Sequence, residues 1–176
     1  LHCHTRIASG DILVGLPEIT LGIVPGWGGM VKVPQLCADT AEAVHLIRSG
    51  KPISAKKALE LGLLDELVSP ASILETAISH AEEMAQWTEL PMRESKAKWF
   101  ELKHSSLNPA PEADRFVCDF LESLMANPGD VDGSYERETD AFVLAFNTDD
   151  ATVGLTHFAS KGQGPAPFTG KTAVPA

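Results

Sequence analysis

Residues 15–29 read GLPEITLGIVPGWGG, a proline-led apolar segment with one carboxylate, followed by a loop dense in glycine. Pro17 keeps Leu16 extended, and closely spaced glycines let the backbone approach a ligand or a neighbouring segment. The loop matches neither GxGxxG nor GxxxxGK(S/T), so it does not indicate a nucleotide site. Its amides could contact a phosphate, a carbonyl or a water, or the turn could serve packing alone.

Glu18 is the candidate catalytic residue of this stretch. Its neighbours Leu16, Ile19 and Leu21 are apolar, and a carboxylate in such a setting can act as a general acid or base. The alternative is a solvated glutamate in the first turn of a helix, where the helix dipole favours a negative charge. From the residues alone, this ordinary interpretation is the more common one.

Around this stretch the pattern alternates short strands and helices, which is typical of an α/β fold. Residues 5–15 predict two short strands around a Ser-Gly-Asp turn, residues 38–48 a helix, and residues 63–68 a strand. Ser54 predicts the N-cap of a further helix over 55–61.

Beyond Pro70 the pattern becomes helical. We predict helices at about residues 73–87, 94–103, 111–125, 134–146 and 148–160. The tail 162–176, rich in Gly, Pro and Thr, is expected to be loosely held. The chain therefore divides into an α/β region over 1–69 and a helical region over 70–176.

The composition excludes several classes of protein. The 176 residues carry 24 acidic against 14 basic side chains, a formal charge of -10. An acidic chain is a poor binder of nucleic acid or of an anionic membrane, and no apolar run reaches the roughly 20 residues of a membrane span. The three cysteines are scattered, so we expect a reducing, cytoplasmic compartment. Because the first residue is Leu1 and not Met, we expect the natural N-terminus to lie further upstream.

Two further groups of residues resemble binding sites. His2, Cys3 and His4 look like metal ligands, but no second pair follows, so structural histidines are favoured and no metal is assigned. Phe158 and Lys161 are three apart on one predicted helical face. They could stack on a ring and contact a phosphate, or form a solvated helix end.

Together these segments resemble the enoyl-CoA hydratase/isomerase (crotonase) family, as its C-terminal portion. Residues 15–29 are similar to the family's most diagnostic segment. The next hallmark is matched by SGKPISAKKA at 49–58 and LGLLDELV at 61–68, and RIAS at 6–9 also fits.

The resemblance implies a fold and an assembly. The fold is α/β, a crotonase-like ββα spiral core of which only the last turns are present, followed by a C-terminal helical trimerisation region. Similarity is strong over 1–70, weak over about 90–135, which looks longer than usual, and resumes over 141–171. The implied partners are an acyl-CoA thioester substrate and further copies in a homotrimer or dimer of trimers, with no metal and no cofactor.

The resemblance also implies a role for each candidate residue. Glu18 falls on one of the family's two catalytic glutamates, the acid/base at the acyl chain, which outweighs the ordinary interpretation. Gly26 falls on the glycine whose N–H helps to hold the catalytic water, and Trp27 is expected to line the acyl pocket. Phe158 and Lys161 fall on the aromatic residue and lysine that contact coenzyme A, often where subunits meet.

The implied reaction is the hydration of a 2-enoyl-CoA thioester in fatty acid metabolism, with backbone N–H groups stabilising an enolate. The family's oxyanion hole and other glutamate lie upstream of Glu18. That glutamate would fall just before Leu1, so this chain would hold half an active site and be inactive without the N-terminal half. The alternatives are an enoyl-CoA isomerase using Glu18 alone and a non-catalytic assembly fragment. Met30 departs from the pattern, since hydratases usually carry Thr there.

Overall fold

The computed structural model describes residues 1–89 and 110–169. In this part of the chain the strands are β1 Ile7–Ser9, β2 Leu13–Val14, β3 Ile53–Ser54 and β4 Glu66–Val68. The α-helices are α1 Gly29–Leu36, α2 Thr40–Ser49, α3 Ala55–Glu60, α4 Ile73–Met84, α5 Pro111–Ala126, α6 Val131–Phe146 and α7 Asp149–Ala159. Two 3₁₀ helices lie at Pro17–Leu21 and Pro70–Ser72. Strands and short helices come first and longer helices follow, as the sequence pattern predicts.

The strands pair across the chain and not with their sequence neighbours. β1 runs parallel to β4, with Ile7 opposite Glu66, and β2 runs antiparallel to β3, with Leu13 opposite Ser54. Arg6 fixes the β1–β4 pair, because its backbone N–H donates to Asp65 Oδ2 at 2.8 Å and its guanidinium Nη2 donates to Gly62 O at 3.2 Å. The two predicted strands around the Ser-Gly-Asp turn are therefore present, each in a different ladder.

Side-chain caps start four of the described helices, α2, α3, α6 and α7. Asp39 Oδ1 accepts hydrogen bonds from the backbone N–H groups of Ala41 and Glu42 at 2.9 and 3.3 Å, so α2 begins at Thr40. Ser54 Oγ accepts from the Lys57 N–H at 3.2 Å and caps α3. The predicted cap at Ser54 is confirmed, because this signal is local to the sequence.

The helix α1 is absent from the sequence prediction. It begins at Gly29 and contains Pro34, and both residue types disfavour a helix. The apolar side chains of Met30, Val31 and Val33 are nevertheless buried. Tertiary packing therefore outweighs the weak local preference for a helix.

A single apolar cluster joins the early and late parts of the chain. It draws on the 3₁₀ helix Pro17–Leu21, on α1, α2 and α3, and on α5 and α6, with Ile19, Met30, Ile47 and Leu121 among its most buried members. The predicted regions 1–69 and 70–176 thus contribute to the same core. Within the described residues, every helix is too short or too polar to cross a lipid bilayer.

A buried ion pair connects α2 to α5 inside this cluster. The Arg48 guanidinium donates through Nε to Asp114 Oδ1 at 2.7 Å and through Nη2 to Oδ2 at 2.8 Å. Arg48 is 2% exposed and Asp114 is 9% exposed. Hydrogen bonding to Asp114 raises the pKa of Arg48 above its usual value. The pair fixes the position of one helix on the other.

Helix α7 crosses the 3₁₀ helix Pro17–Leu21 at very short range. A Cβ at Gly154 would lie 2.2 Å from the Leu21 carbonyl oxygen, and one at Gly22 would lie 2.5 Å from the Asp150 carbonyl carbon. No side chain fits at either position. The two glycines therefore let α7 approach the segment that carries Glu18.

The C-terminal tail makes several contacts with the helical region. Ala166 is buried, Phe168 packs against the apolar cluster, and the Thr169 N–H donates to Asp150 Oδ1 at 3.2 Å. These contacts fix residues 162–169 more firmly than the composition of the tail predicts. The helix predicted at 94–103 lies outside the described residues, as do the last residues of the tail.

Removing one partner of the buried ion pair should destabilise the fold strongly. We expect Asp114→Ala to lower the free energy of unfolding by about 3–5 kcal/mol, because it leaves the Arg48 charge buried without its carboxylate. Urea denaturation measures the change. The control is Asp119→Ala on the same helix, an exposed partner of Arg115 at 3.7 Å, which should cost less than about 1 kcal/mol. Equal losses from the two variants would contradict the role given to the buried pair.

Candidate functional site

Glu18 lies in the first turn of the 3₁₀ helix Pro17–Leu21, directly after Pro17. The ordinary interpretation of this glutamate is thus right about its place. It is wrong about its solvation, since the side chain is half-buried and Oε2 is buried without a hydrogen-bond partner among residues 1–89 and 110–169. A buried acceptor without a donor is a group that a ligand can satisfy.

Glu18 faces a cavity of about 490 Å³. Among the described residues, its walls come from the 3₁₀ helix, the glycine-rich loop and α6. The lining residues are Glu18, Gly26, Trp27, Glu138, Thr139 and Phe142. The fold therefore brings three of the sequence-predicted site residues, Glu18, Gly26 and Trp27, to one cavity.

The glycine-rich loop turns sharply before α1. Trp27 and Gly28 both adopt the left-handed backbone region, with φ of 53° and 82°. This region disfavours a tryptophan, so the turn at Trp27 is strained. The Gly29 N–H donates to the Gly26 carbonyl at 3.0 Å and closes the turn. The Gly26 N–H makes no hydrogen bond with a residue of the described ranges.

The carboxylate of Glu138 accepts hydrogen bonds from the backbone N–H groups of Gly28, Met30 and Val31. Oε2 accepts from the Gly28 N–H at 2.5 Å, and Oε1 accepts from the Met30 and Val31 N–H groups at 2.8 and 3.3 Å. Glu138 is 2% exposed. Of the loop amides that could contact a ligand, the Gly28 N–H is therefore already bound by a side chain of the same chain.

Burial raises the pKa of Glu138, and the hydrogen bonds from the three amides partly offset that rise by stabilising the charged form. The carboxylate also lies at the N-terminus of α1, where the helix dipole favours a negative charge. Glu138 is thus a deeply buried acid whose two oxygens are both satisfied. Its environment differs from that of Glu18, which lines the same cavity.

Glu138 is the residue that sequence reasoning missed, although a local signal exists. Together with Ala141, Phe142 and Ala145 it follows the helical spacing i, i+3, i+4 and i+7, and Ala141 and Ala145 are buried members of the core. A glutamate on the apolar face of an amphipathic helix indicates a buried carboxylate with a partner. The identity of the partner, the start of α1, could not be read from the sequence.

Phe158 and Lys161 line a different cavity, of about 610 Å³. Helix α7 ends at Ala159, and Lys161 lies past it with a left-handed φ of 55°. The prediction that both side chains lie on one helical face is therefore wrong, since only Phe158 belongs to the helix. Phe158 is 69% exposed. Thr20 and Leu21 of the 3₁₀ helix also line this cavity, so the segment carrying Glu18 contributes to both.

His2, near the start of the chain, contacts the glycine-rich loop. His2 Nε2 lies 3.0 Å from the Trp27 carbonyl oxygen, and the His2 ring packs against Tyr135 with ring centroids 6.0 Å apart. Residues 1–89 and 110–169 contain no group of three or more His, Cys, Asp or Glu side chains placed to hold a metal ion. The absence of a metal from the intact protein stays a prediction.

Comparison with known proteins identifies the family. The family model described as enoyl-CoA hydratase/isomerase matches residues 1–116. The chain belongs to the enoyl-CoA hydratase/isomerase family. The match lies in the N-terminal part of this chain and not in its C-terminal part. The family model continues past residue 90, where weak similarity was expected, and ends at residue 116.

Individual relatives agree with this membership. A probable enoyl-CoA hydratase of Bacillus subtilis is 35% identical over 160 residues, which cover 90% of this chain and 52% of the relative. The structure of carnitinyl-CoA hydratase from Mycobacterium avium aligns with a TM-score of 0.63 at 24% identity, over 92% of this chain and 53% of that one. An enoyl-CoA hydratase/isomerase from Pseudoalteromonas atlantica aligns with a TM-score of 0.62 at 19% identity, over 93% and 56%.

These likenesses show a crotonase-like α/β fold. The chain spans about half the length of the relatives it matches. The activity, substrate and assembly of the whole protein are therefore matters for proposal.

Proposed function

We propose that this chain supplies the acid/base part of an enoyl-CoA hydratase, which adds water to a 2-enoyl-CoA thioester. The observation that carries the proposal is the buried, unengaged Oε2 of Glu18 in a cavity shared with Gly26. Family membership supports the substrate class, because the matching family model is described as enoyl-CoA hydratase/isomerase. We propose this activity, that of a lyase, for the intact protein and not for this chain alone.

In the proposed reaction, Glu18 transfers a proton at the acyl chain while water adds to it. The oxygen of the water forms a bond to the β-carbon, a proton is delivered to the α-carbon, and the carbon–carbon double bond is lost. The Gly26 N–H, which makes no hydrogen bond with the described residues, donates to the attacking water. Charge accumulates on the thioester carbonyl, where preorganised N–H donors stabilise the enolate.

The remaining parts of the site belong to the same proposal. Trp27 also lines the cavity that Glu18 lines, with a side chain that is 99% exposed, and we assign it to the acyl chain of the substrate. Phe158 and Lys161 line the second cavity, where an aromatic ring and a cation suit the adenine and phosphates of coenzyme A. The enolate-stabilising donors and a second glutamate come from an upstream segment of the intact protein, which acts without a metal or cofactor. The intact protein assembles as a homotrimer or a dimer of trimers.

An enoyl-CoA isomerase is the second candidate, and one observation favours it. Of the two glutamates that line the Glu18 cavity, Glu138 has both oxygens engaged by amides, whereas Glu18 does not. A single available carboxylate is sufficient to move a proton between two carbons. Supplying the intact protein with 2-enoyl and 3-enoyl thioesters in heavy-oxygen water separates the two reactions, because only hydration incorporates solvent oxygen into the product.

Replacing Glu18 by its amide should abolish most of the activity. We expect Glu18→Gln in the intact protein to lower kcat by about 10²–10⁴-fold, since the amide cannot accept or donate the transferred proton. The affinity for the CoA thioester should change little. Loss of absorbance of the conjugated thioester measures the rate, and Glu60→Gln, at an exposed glutamate at the end of α3, is the matched control. An unchanged kcat in Glu18→Gln would remove Glu18 from the mechanism.

A methyl group at Gly26 should impair hydration without unfolding the protein. It would lie 3.7 Å from Phe142 Cδ2, an ordinary contact, but it enters the cavity beside the amide assigned to the water. We expect the kcat of Gly26→Ala to fall by roughly tenfold or more, with the free energy of unfolding changed by less than about 0.5 kcal/mol. Gly10→Ala, where an added Cβ meets no atom within 4 Å, should behave as wild type. Full activity in Gly26→Ala would argue against the proposed water position.

The 176-residue chain alone should hydrate crotonyl-CoA very slowly, because the enolate donors are assigned to the upstream segment. Adding that segment should restore the activity. The comparison requires only the two polypeptides, separately and mixed, in the same assay. A normal enzymatic rate from the chain alone would show that the oxyanion hole is placed wrongly. No activity in the intact protein would favour a non-catalytic assembly role.

A further inference from the structure

We propose that Glu138 is a positioning residue, which fixes the turn at Gly26–Gly28 so that Gly26 stays beside Glu18 in their shared cavity. The proposal rests on the proposed function for its kinetic consequences, while its structural part stands on the hydrogen bonds themselves. Neither the family resemblance nor the sequence pattern assigns a role to this glutamate. It contacts the loop through its carboxylate and borders the cavity without being the acid that reacts.

The two oxygens of the Glu138 carboxylate bind two different parts of the backbone. One oxygen binds Gly28, the last residue of the strained turn, and the other binds Met30 and Val31 in the first turn of α1. The two oxygens of one rigid group therefore fix the turn relative to the helix. Trp27, held at a φ of 53°, would otherwise relax toward a less strained conformation.

Helix α6 provides both this anchor and part of the cavity wall. Thr139 and Phe142, one and four residues after Glu138, line the cavity with Glu18. The Phe142 ring lies where a methyl on Gly26 would reach it at 3.7 Å. Any shift of the loop away from Glu138 would thus also change the gap between Gly26 and Phe142.

Gly28 has no space around it for a side chain. A Cβ there would lie 2.6 Å from His2 Nε2 and 2.9 Å from Tyr135 Cε1. Gly28 is therefore enclosed by His2 on one side and by Tyr135 of α6 on the other, with the Glu138 carboxylate bound to its amide. Such an enclosed, hydrogen-bonded turn is the preorganisation that a water-positioning amide requires.

The test compares Glu138→Gln with Glu136→Gln in the intact protein. Glu136 is exposed on the same helix, so it controls for the loss of one negative charge on α6. In Glu138→Gln the side-chain carbonyl can still accept either from the Gly28 N–H or from the Met30 and Val31 N–H groups, but not from both sets. Its NH₂ group faces an N–H donor on the other side, so part of the anchor is lost. The isosteric change keeps the volume of the side chain.

Two readouts are expected to change in Glu138→Gln and not in Glu136→Gln. Amide hydrogen exchange at Gly28 or at Met30 and Val31 should become roughly tenfold faster or more, with protection of α2 and α5 unchanged. The kcat should fall by on the order of tenfold to a hundredfold while the KM for the CoA thioester changes little, because the loop places the reacting water and not coenzyme A. Glu138→Asp, which keeps the charge on a shorter side chain, should recover part of both losses.

The outcomes separate the two proposals. If the intact protein neither hydrates nor isomerises an enoyl thioester, the proposed function fails, while the amide exchange still decides the anchoring role. If exchange at these amides is unchanged in Glu138→Gln, the positioning role is overturned. The same holds if kcat falls while amide exchange becomes faster throughout the protein, α2 and α5 included. Faster local exchange together with an unchanged kcat likewise overturns it.

Discussion

The buried carboxylate of Glu138 must find hydrogen-bond donors, because an uncompensated charge in the interior costs several kcal/mol. It finds them in the three amides at the start of α1, which would otherwise be unpaired, since a helix leaves its first N–H groups without internal partners. Each group thus satisfies the other across 110 residues of sequence. The position of α6, the start of α1 and the shape of the preceding loop all depend on this contact.

The rest of the helical part follows from where α6 must lie. α5 precedes α6 and packs against α1 and α2, and the Arg48–Asp114 pair fixes it there with a second buried carboxylate. α7 then crosses the 3₁₀ helix at Gly22 and Gly154, where only glycine fits. Two carboxylates and two glycines thus place the helices around the segment that carries Glu18.

Local signals in the sequence predicted most of the elements but not their contacts. Ser54 marks the start of α3 because its hydroxyl binds an amide three residues away, and apolar spacing marks α5, α6 and α7. The ordinary interpretation of Glu18 places it in a first helical turn, whereas its apolar neighbours and the family resemblance make it the candidate acid. The helix α1 was missed because its glycine start and Pro34 argue against a helix, and its compensating partners are distant in the sequence.

Glu18 and Glu138 line one cavity, yet their surroundings give them opposite capacities. A carboxylate whose two oxygens already accept three amide hydrogen bonds has little to gain from a ligand. A carboxylate with a buried, unengaged oxygen gains a partner when substrate or water arrives. Of the two, Glu18 is therefore the carboxylate with an oxygen available to a ligand in this cavity, while the Glu138 carboxylate is bound to backbone amides. Both residues are glutamates, so the difference in their capacity to bind a ligand comes from which backbone amides the fold brings within hydrogen-bond distance.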